Sequence, residues 1–272
     1  MARPDLQRKY EARRAALLVT DLMGGEPPRR VRLSQDHAVY AAMVEAMDQA
    51  VGKVLAKLAE LNLSDNTLVI FTSDNGGLST SEGSPTSNHP LRAGKGWLYE
   101  GGIRTAGLVR WPGVIPAGVT NDTPVISPDY LPTILEAVGI TTSPGQKFDG
   151  VSMLPILTAR SPAFQKSRAS DAAATGPERP LFWHYPHYGN QGSSPGAAVA
   201  IGDWKLIEWF EENRIELFNL STDPDEKMNL SASEPQRVSE MLDTLHTWQK
   251  DVGAKFSTPN SAYDPAKLSG RN

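Results

Sequence analysis

Thr67-Leu-Val-Ile-Phe-Thr-Ser-Asp74-Asn75-Gly-Gly77, with Ala93-Gly-Lys95-Gly-Trp-Leu-Tyr-Glu-Gly-Gly102 downstream, decides how the chain is read. The first stretch is a short apolar, β-branched run, the pattern of a strand buried on both faces. It ends in an acid, an amide and two glycines, and open α/β sheets place their ligands at the carboxyl ends of buried strands. Asp74 and Asn75 offer oxygens that suit a hard cation such as Ca²⁺ or Mg²⁺. Lys95, flanked by glycines, can bring a positive charge to the same mouth against an anionic substrate. On spacing alone, a tight turn at Asn75-Gly76 and a solvated Lys95 fit the same residues.

Ser73-Asp74-Asn75-Gly76-Gly77 followed by Pro90-Leu-Arg-Ala-Gly-Lys95-Gly-Trp-Leu-Tyr-Glu100-Gly-Gly-Ile-Arg104 resembles the metal-and-lysine segment of the sulfatase family, within the alkaline-phosphatase-like superfamily. The resemblance implies that Asp74 and Asn75 bind a divalent cation, usually calcium. It also implies that Lys95 contacts the sulfate of a sulfated glycan or aryl sulfate. Arg92 is a second candidate anion contact, because its planar fork matches sulfate oxygens; a surface role is the alternative.

Composition bounds these readings. At 272 residues, with 39% hydrophobic and 21% charged residues, the chain can bury a real core. A net charge of -4 without a basic face argues against a nucleic-acid partner. Cysteine is absent, which removes disulfides, thiolate metal sites and a cysteine nucleophile. No signal peptide and no membrane-spanning run are seen, so the chain as written reads as cytoplasmic, although intact relatives are usually periplasmic, secreted or lysosomal. The oligomeric state is open.

Taken in order, the chain predicts a short helix from Pro4 to Leu18, then a Gly-Gly-Glu-Pro-Pro loop. A long helix capped by Asp36 follows, with Val39, Met43, Met47, Ala50, Val54, Leu58 and Leu61 as a stripe for a sheet face. Met43 and Met47 read as core filler. Residues 76–102 read as a long functional loop, in which His89 is left unassigned. Ile103–Val109 is expected as a strand, and Ser127-Pro128 opens a helix stopped by Gly139. Asp129, at that helix's start, reads as scaffold. Residues 158–179 read as a linker. Beyond it, Arg179–Tyr185, Ala197–Ile201, Trp204–Trp209 and Glu216–Leu220 read as strands joined by tight turns, with Gly202-Asp203 and Glu212-Asn213 as the turn signals, and Pro235–Val252 as a closing helix. Asp223-Pro-Asp225 reads as a turn; an acidic metal loop of Asp223, Asp225 and Glu226 is the competing reading, but the proline and the spacing do not fit an EF-hand. His184 and His187, with Trp183, Tyr185 and Tyr188, are candidates to line a sugar pocket; a satisfied edge-strand cluster fits equally.

The expected fold is α/β: over residues 1–165 the later part of the sulfatase sandwich, with helices flanking a mostly parallel sheet, and over 166–272 a small antiparallel-sheet-and-helix subdomain. The resemblance also implies an upstream Cys/Ser-x-Pro/Ala-x-Arg motif whose first residue becomes formylglycine. No cysteine is present, and the serines are read as not opening that pattern, so the chain reads as a C-terminal fragment of a metal-assisted sulfuric ester hydrolase. A phosphodiesterase or phosphonate hydrolase of the same superfamily and a non-catalytic carbohydrate-binding remnant are the competing readings.

Overall fold

A computed structural model describes residues 2–18, 22–141, 143, 145–158 and 178–262. In chain order the elements are α1 (Pro4–Ala15), β1 (Met23–Glu26), β2 (Arg29–Arg32), α2 (Ala38–Glu60), β3 (Val69–Thr72), α3 (Glu100–Ile103), β4 (Gly107–Arg110), α4 (Tyr130–Ala137), α5 (Leu154–Thr158), β5 (Leu181–Tyr185), β6 (Gly196–Ile201), β7 (Trp204–Trp209), β8 (Arg214–Asn219) and α6 (Pro235–Asp251). They pack as two units that interleave along the chain. One comprises residues 1–6, 42–74 and 106–181, the other 7–41, 75–105 and 182–272.

The second unit is built on the four-stranded sheet β5-β6-β7-β8. Its register pairs Val199 with Leu206 and Leu206 with Leu217, both antiparallel. Gly202, at φ +56°, makes the β6–β7 turn that the Gly-Asp signal predicts. Because side chains alternate across a strand, Ala197, Val199, Leu206 and Leu217 face Met241 and Leu245 of α6. Ala198, Ile207, Trp209 and Phe218 face the other way, onto Ala93, Trp97, Leu98 and Tyr99. Each of the larger aliphatic side chains and Phe218 contributes about 1.5–3 kcal/mol by leaving water, and each alanine less. The segment carrying Lys95 is therefore bound to one face of this sheet, and the closing helix to the other.

The N-terminal part of this unit departs from expectation twice. The Gly-Gly-Glu-Pro-Pro stretch is not an open loop: Pro27-Pro28 joins β1 and β2 as an antiparallel hairpin pairing Met23 with Arg32 and Glu26 with Arg29. Asp36 does not cap α2. Its buried carboxylate is held by Arg32 and by Arg14 at 3.3 Å, and His37 caps the helix by accepting the Tyr40 N–H at Nδ1, 3.2 Å away.

In the first unit β3 and β4 form an antiparallel pair, Val69 opposite Arg110 and Thr72 opposite Gly107. The residues expected to begin a strand at Ile103 instead end the short helix α3. Nor is β3 buried on both faces: Val69, Ile70 and Phe71 are half-buried and Thr72 is exposed, since a two-stranded ribbon has one partner edge and little to cover its faces. The stripe of α2 is likewise uncovered. Met43, Met47, Val54 and Leu61 are about half exposed, so the two methionines are not core filler in this chain. The mostly parallel sheet expected to bury them does not appear among the described residues, where every registered pair is antiparallel. Gly139, at φ +71°, ends α4 as predicted. Asp129 is fully buried before that helix, accepts the Ile126 and Val151 amides, and pairs with both terminal nitrogens of Arg179 at 2.9 and 2.7 Å. The linker expected over 158–179, with the boundary at 165, lies almost wholly outside the described residues. Among those described, no helix is long and apolar enough to cross a membrane.

Candidate active site

The candidate site begins where β3 ends. Asp74 is exposed and Asn75 half-buried at the carboxyl end of that strand. The turn that follows is locked to the Lys95 segment by backbone bonds. The Lys95 amide donates to Gly77 O (3.1 Å) and the Gly76 amide to Gly102 O (2.8 Å), while Asn88 accepts from the Gly77 amide and donates to Gly77 O and Ala93 O. These approaches explain the glycines. A Cβ on Gly76 would lie 1.7 Å from Gly101 O, inside its electron cloud, and no larger residue fits. The segment that reads as a long Gly-rich loop is thus a rigid, backbone-packed unit.

Three charged clusters hold it. Arg92 donates Nε and Nη2 to Glu26 (2.9 and 2.8 Å) and Nη1 to the Glu226 carbonyl (2.9 Å), with its guanidinium 3.7 Å above the Tyr99 ring. Tyr99 donates its hydroxyl to Glu216 (2.8 Å), which also accepts the Trp209 indole N–H (2.7 Å). Burial, and then the Glu216 charge, push the Tyr99 phenol far up, so it stays a donor. Lys205, fully buried, donates to Glu100 (3.0 Å) and Glu226 (2.9 Å). Lys95 is exposed between these anchors, and its ammonium has no hydrogen-bond or ion-pair partner among the described residues. A rigid base carrying one uncommitted cation is suited to meet an anion.

The other candidates sit differently. Arg92 is committed to Glu26, Glu226 and Tyr99 and works as scaffold. His184 and His187 do not share a pocket. His184 donates Nε2–H to Lys255 O (2.7 Å), accepts from Gln249 at Nδ1 (3.3 Å) and packs on Phe210 and Phe256, on the α6 face. His187 is exposed and meets the edge of Tyr185, whose ring packs with the opposite cluster. His184 lies within β5 and His187 beyond its end, and the satisfied-cluster reading holds for His184. His89 is exposed. Lys205, Glu216, Glu226 and Asn88 were missed. A lysine at the second position of the largely apolar strand Trp204–Trp209 is the one signal that could have exposed this network.

Comparison with known proteins decides what this arrangement is part of. A family model described as Sulfatase matches residues 3–140, and one described as N-sulphoglucosamine sulphohydrolase, C-terminal, matches residues 93–251. The chain belongs to the sulfatase family. A "Sulfatase" of Formosa agariphila is 33% identical over 91% of this chain and 43% of its own length. The N-acetylgalactosamine-6-sulfatase of Canis lupus familiaris is 32% identical over 80% of this chain and 38% of its own. Among solved structures, Ps i-CgsB in complex with k-i-k-neocarrahexaose is 31% identical, with a TM-score of 0.66, over 83% of this chain and 46% of that one. The mixed α/β sulfatase fold is thereby borne out, and this sulfatase chain spans less than half the length of the curated relatives it matches.

The metal that this family implies can be tested against the donors present. A carboxylate and an amide oxygen in succession fit a hard cation by chemistry. They supply only part of a shell, because the described residues contain no group of three or more His, Cys, Asp or Glu placed to hold a metal ion. The formylglycine pattern needs a correction. Ser233-Glu-Pro-Gln-Arg237 does fit Ser-x-Pro-x-Arg. It lies at the start of α6, where Ser233 donates to Leu230 O (3.0 Å) and Arg237 stacks on Trp204 at 4.1 Å. That is the sheet face opposite the Lys95 segment, so this serine serves the helix start and not the candidate site.

Glu226 gives a stability prediction. Burial pushes its carboxyl up to about 7 from 4.5, against the opposing pull of Lys205. The folded state then binds the proton more tightly than the unfolded one. The contribution of this group is full below pH 4.5 and declines by about 3 kcal/mol as pH rises to about 7. Urea unfolding between pH 4 and 8 should show this decline in the native chain and not in Glu226→Gln; equal slopes in both would remove the assignment.

Proposed function

We propose that this chain is the metal-and-lysine half of a sulfuric ester hydrolase acting on sulfated carbohydrate. One observation carries the reading: Lys95 is exposed, its ammonium has no partner among the described residues, and its amide is bonded to Gly77 in the turn that immediately follows Asp74 and Asn75. Asp74 and Asn75 would hold part of the shell of a Ca²⁺ or Mg²⁺ ion, which supplies charge stabilisation at the sulfate oxygens when bound. Lys95 offsets the charge that develops on those oxygens in the transition state. Support for a carbohydrate sulfate over an aryl sulfate comes from two similar proteins that align with most of this chain, an N-acetylgalactosamine-6-sulfatase and Ps i-CgsB, crystallised in complex with k-i-k-neocarrahexaose.

The test is a full-length enzyme containing this chain. Lys95→Ala should keep its metal content and lose about 10²–10³-fold in kcat, the range for one preorganised electrostatic donor. Asp74→Ala should lose metal along with rate. Unchanged turnover of a sulfated oligosaccharide in Lys95→Ala would remove the assignment, and preserved metal content in Asp74→Ala would remove that of the carboxylate.

A further inference from the structure

Lys95 lies midway between two anchors that reach the same residue. At one end of its segment, Arg92 donates Nη1 to the Glu226 carbonyl at 2.9 Å. At the other, the Glu100 amide donates to Glu226 Oε2 at 2.7 Å, while Glu226 Oε1 accepts from Lys205 at 2.9 Å. Glu226 is fully buried and sits at φ +51°, a conformation that a non-glycine residue holds only when its surroundings impose it. The imposing turn is itself braced. Asp223 accepts the Lys227 and Met228 amides at 3.1 and 2.8 Å, and the Glu226 amide bonds Asp223 O. The charged groups around Glu226 are Lys205 from β7, Glu100 from α3 with Arg104 3.9 Å beyond it, and Arg92 from the loop.

We propose that Glu226 is the positioning residue for Lys95: its carbonyl and its carboxylate grip the two ends of the Lys95 segment and fix it to the C-terminal sheet. The role of Lys95 itself rests on the function proposed above. The carboxylate is required because two donors, the Lys205 ammonium and the Glu100 amide, each need an acceptor oxygen. Glutamine has the same shape but offers one acceptor and one donor group, so it can satisfy only one of them.

The decisive measurement is amide hydrogen exchange on the 272-residue chain at pH 8, where Glu226 is mostly ionised. In Glu226→Gln the amides of Lys95 and Trp97, neither of which bonds Glu226 directly, should exchange at least about tenfold faster while β6–β8 amides keep their protection. Wild-type rates at Lys95 and Trp97, with only the Glu100 amide changed, would overturn the proposal. Should that variant not fold, the unmodified chain decides. In low urea the Lys95, Glu100, Lys227 and Met228 amides should open with one free energy and one urea slope; a Lys95 amide that opens separately would overturn it. In the full-length enzyme, Glu226→Gln should cost rate in the native background and nothing further in a Lys95→Ala background, whereas additive losses would assign Glu226 a general structural role. The exchange result uses no substrate. A Lys95→Ala enzyme with full activity would therefore remove the functional reading while leaving the mechanical one to be judged by its own data.

Discussion

Replacing Arg179 by Met is expected to destabilise the unit containing α4 by about 3–5 kcal/mol, the range for breaking one side of a buried ion pair. Asp129 has no exposed surface and shares both carboxylate oxygens with the Arg179 fork. It also accepts the Ile126 and Val151 amides, so it joins three chain segments: the entry to α4, the Gly150-Val151 stretch and the residues just before β5. Met fills much of the arginine's volume but leaves the carboxylate charged and desolvated, with two amides for company. Lys would restore the charge without the bidentate fit and should recover part of the loss. Asp129→Asn with Arg179→Met should cost less than the two single losses added, because no charge is then stranded. Urea midpoints for the four variants form a double-mutant cycle that checks this. A loss below about 1 kcal/mol in Arg179→Met, as for a surface pair, would show that water reaches Asp129.

The C-terminal sheet was legible because its signals are local. Gly202-Asp203 and Glu212-Asn213 fix two hairpins, and Val238, Met241, Leu242, Leu245 and Trp248 mark one face of α6 at helical spacing. The extent of α2 was legible for the same reason, but not its surroundings. A periodic stripe states which face is apolar and says nothing of what covers it, so Met43 and Met47 were read as core and are exposed. The apolar run into Asp74 likewise specifies a strand but not the number of its neighbours. Asp36 was read as a cap because a cap is a local choice; Arg14 and Arg32 take its carboxylate, and His37 caps in its place.

Asp74, Asn75 and Lys95 are candidates because a family motif names them, whereas the groups that hold the Lys95 segment belong to no motif read from the sequence. Glu100 bonds Lys205 and Tyr99 bonds Glu216 across more than a hundred residues of sequence, and such pairings leave no mark in local spacing. His184 shows the converse. Its aromatic neighbours suggested stacking on a sugar, yet they belong to a packed cluster that uses both ring nitrogens.

Purified residues 1–272, supplied with calcium, are expected to give no turnover of an activated aryl sulfate. Asp74 and Asn75 provide one carboxylate and one amide, whereas calcium takes about six to eight oxygens, so the ion would be held weakly and mostly by water. In its proposed role Lys95 would stabilise charge that a nucleophile has already moved, but it would not supply that nucleophile; groups acting on one step fail together when one is missing. The chain has no cysteine to become formylglycine, and Ser233, the serine that does fit the pattern, stands at the start of α6 on the sheet face turned from the Lys95 segment. Ser233→Ala should therefore leave the result unchanged, while its removal of the Leu230 bond costs about 1 kcal/mol or less of stability. The uncovered stripe of α2 adds a second expected result in the same preparation. Half-exposed Met43, Met47, Val54 and Leu61 form an apolar strip that should bind a hydrophobic dye and promote self-association as concentration rises. The controls are a full-length relative assayed beside the chain and the Lys95→Ala variant of the chain itself. Turnover above that variant, abolished by Ser233→Ala, would place the nucleophile at Ser233 and require a chain arrangement other than the one described here.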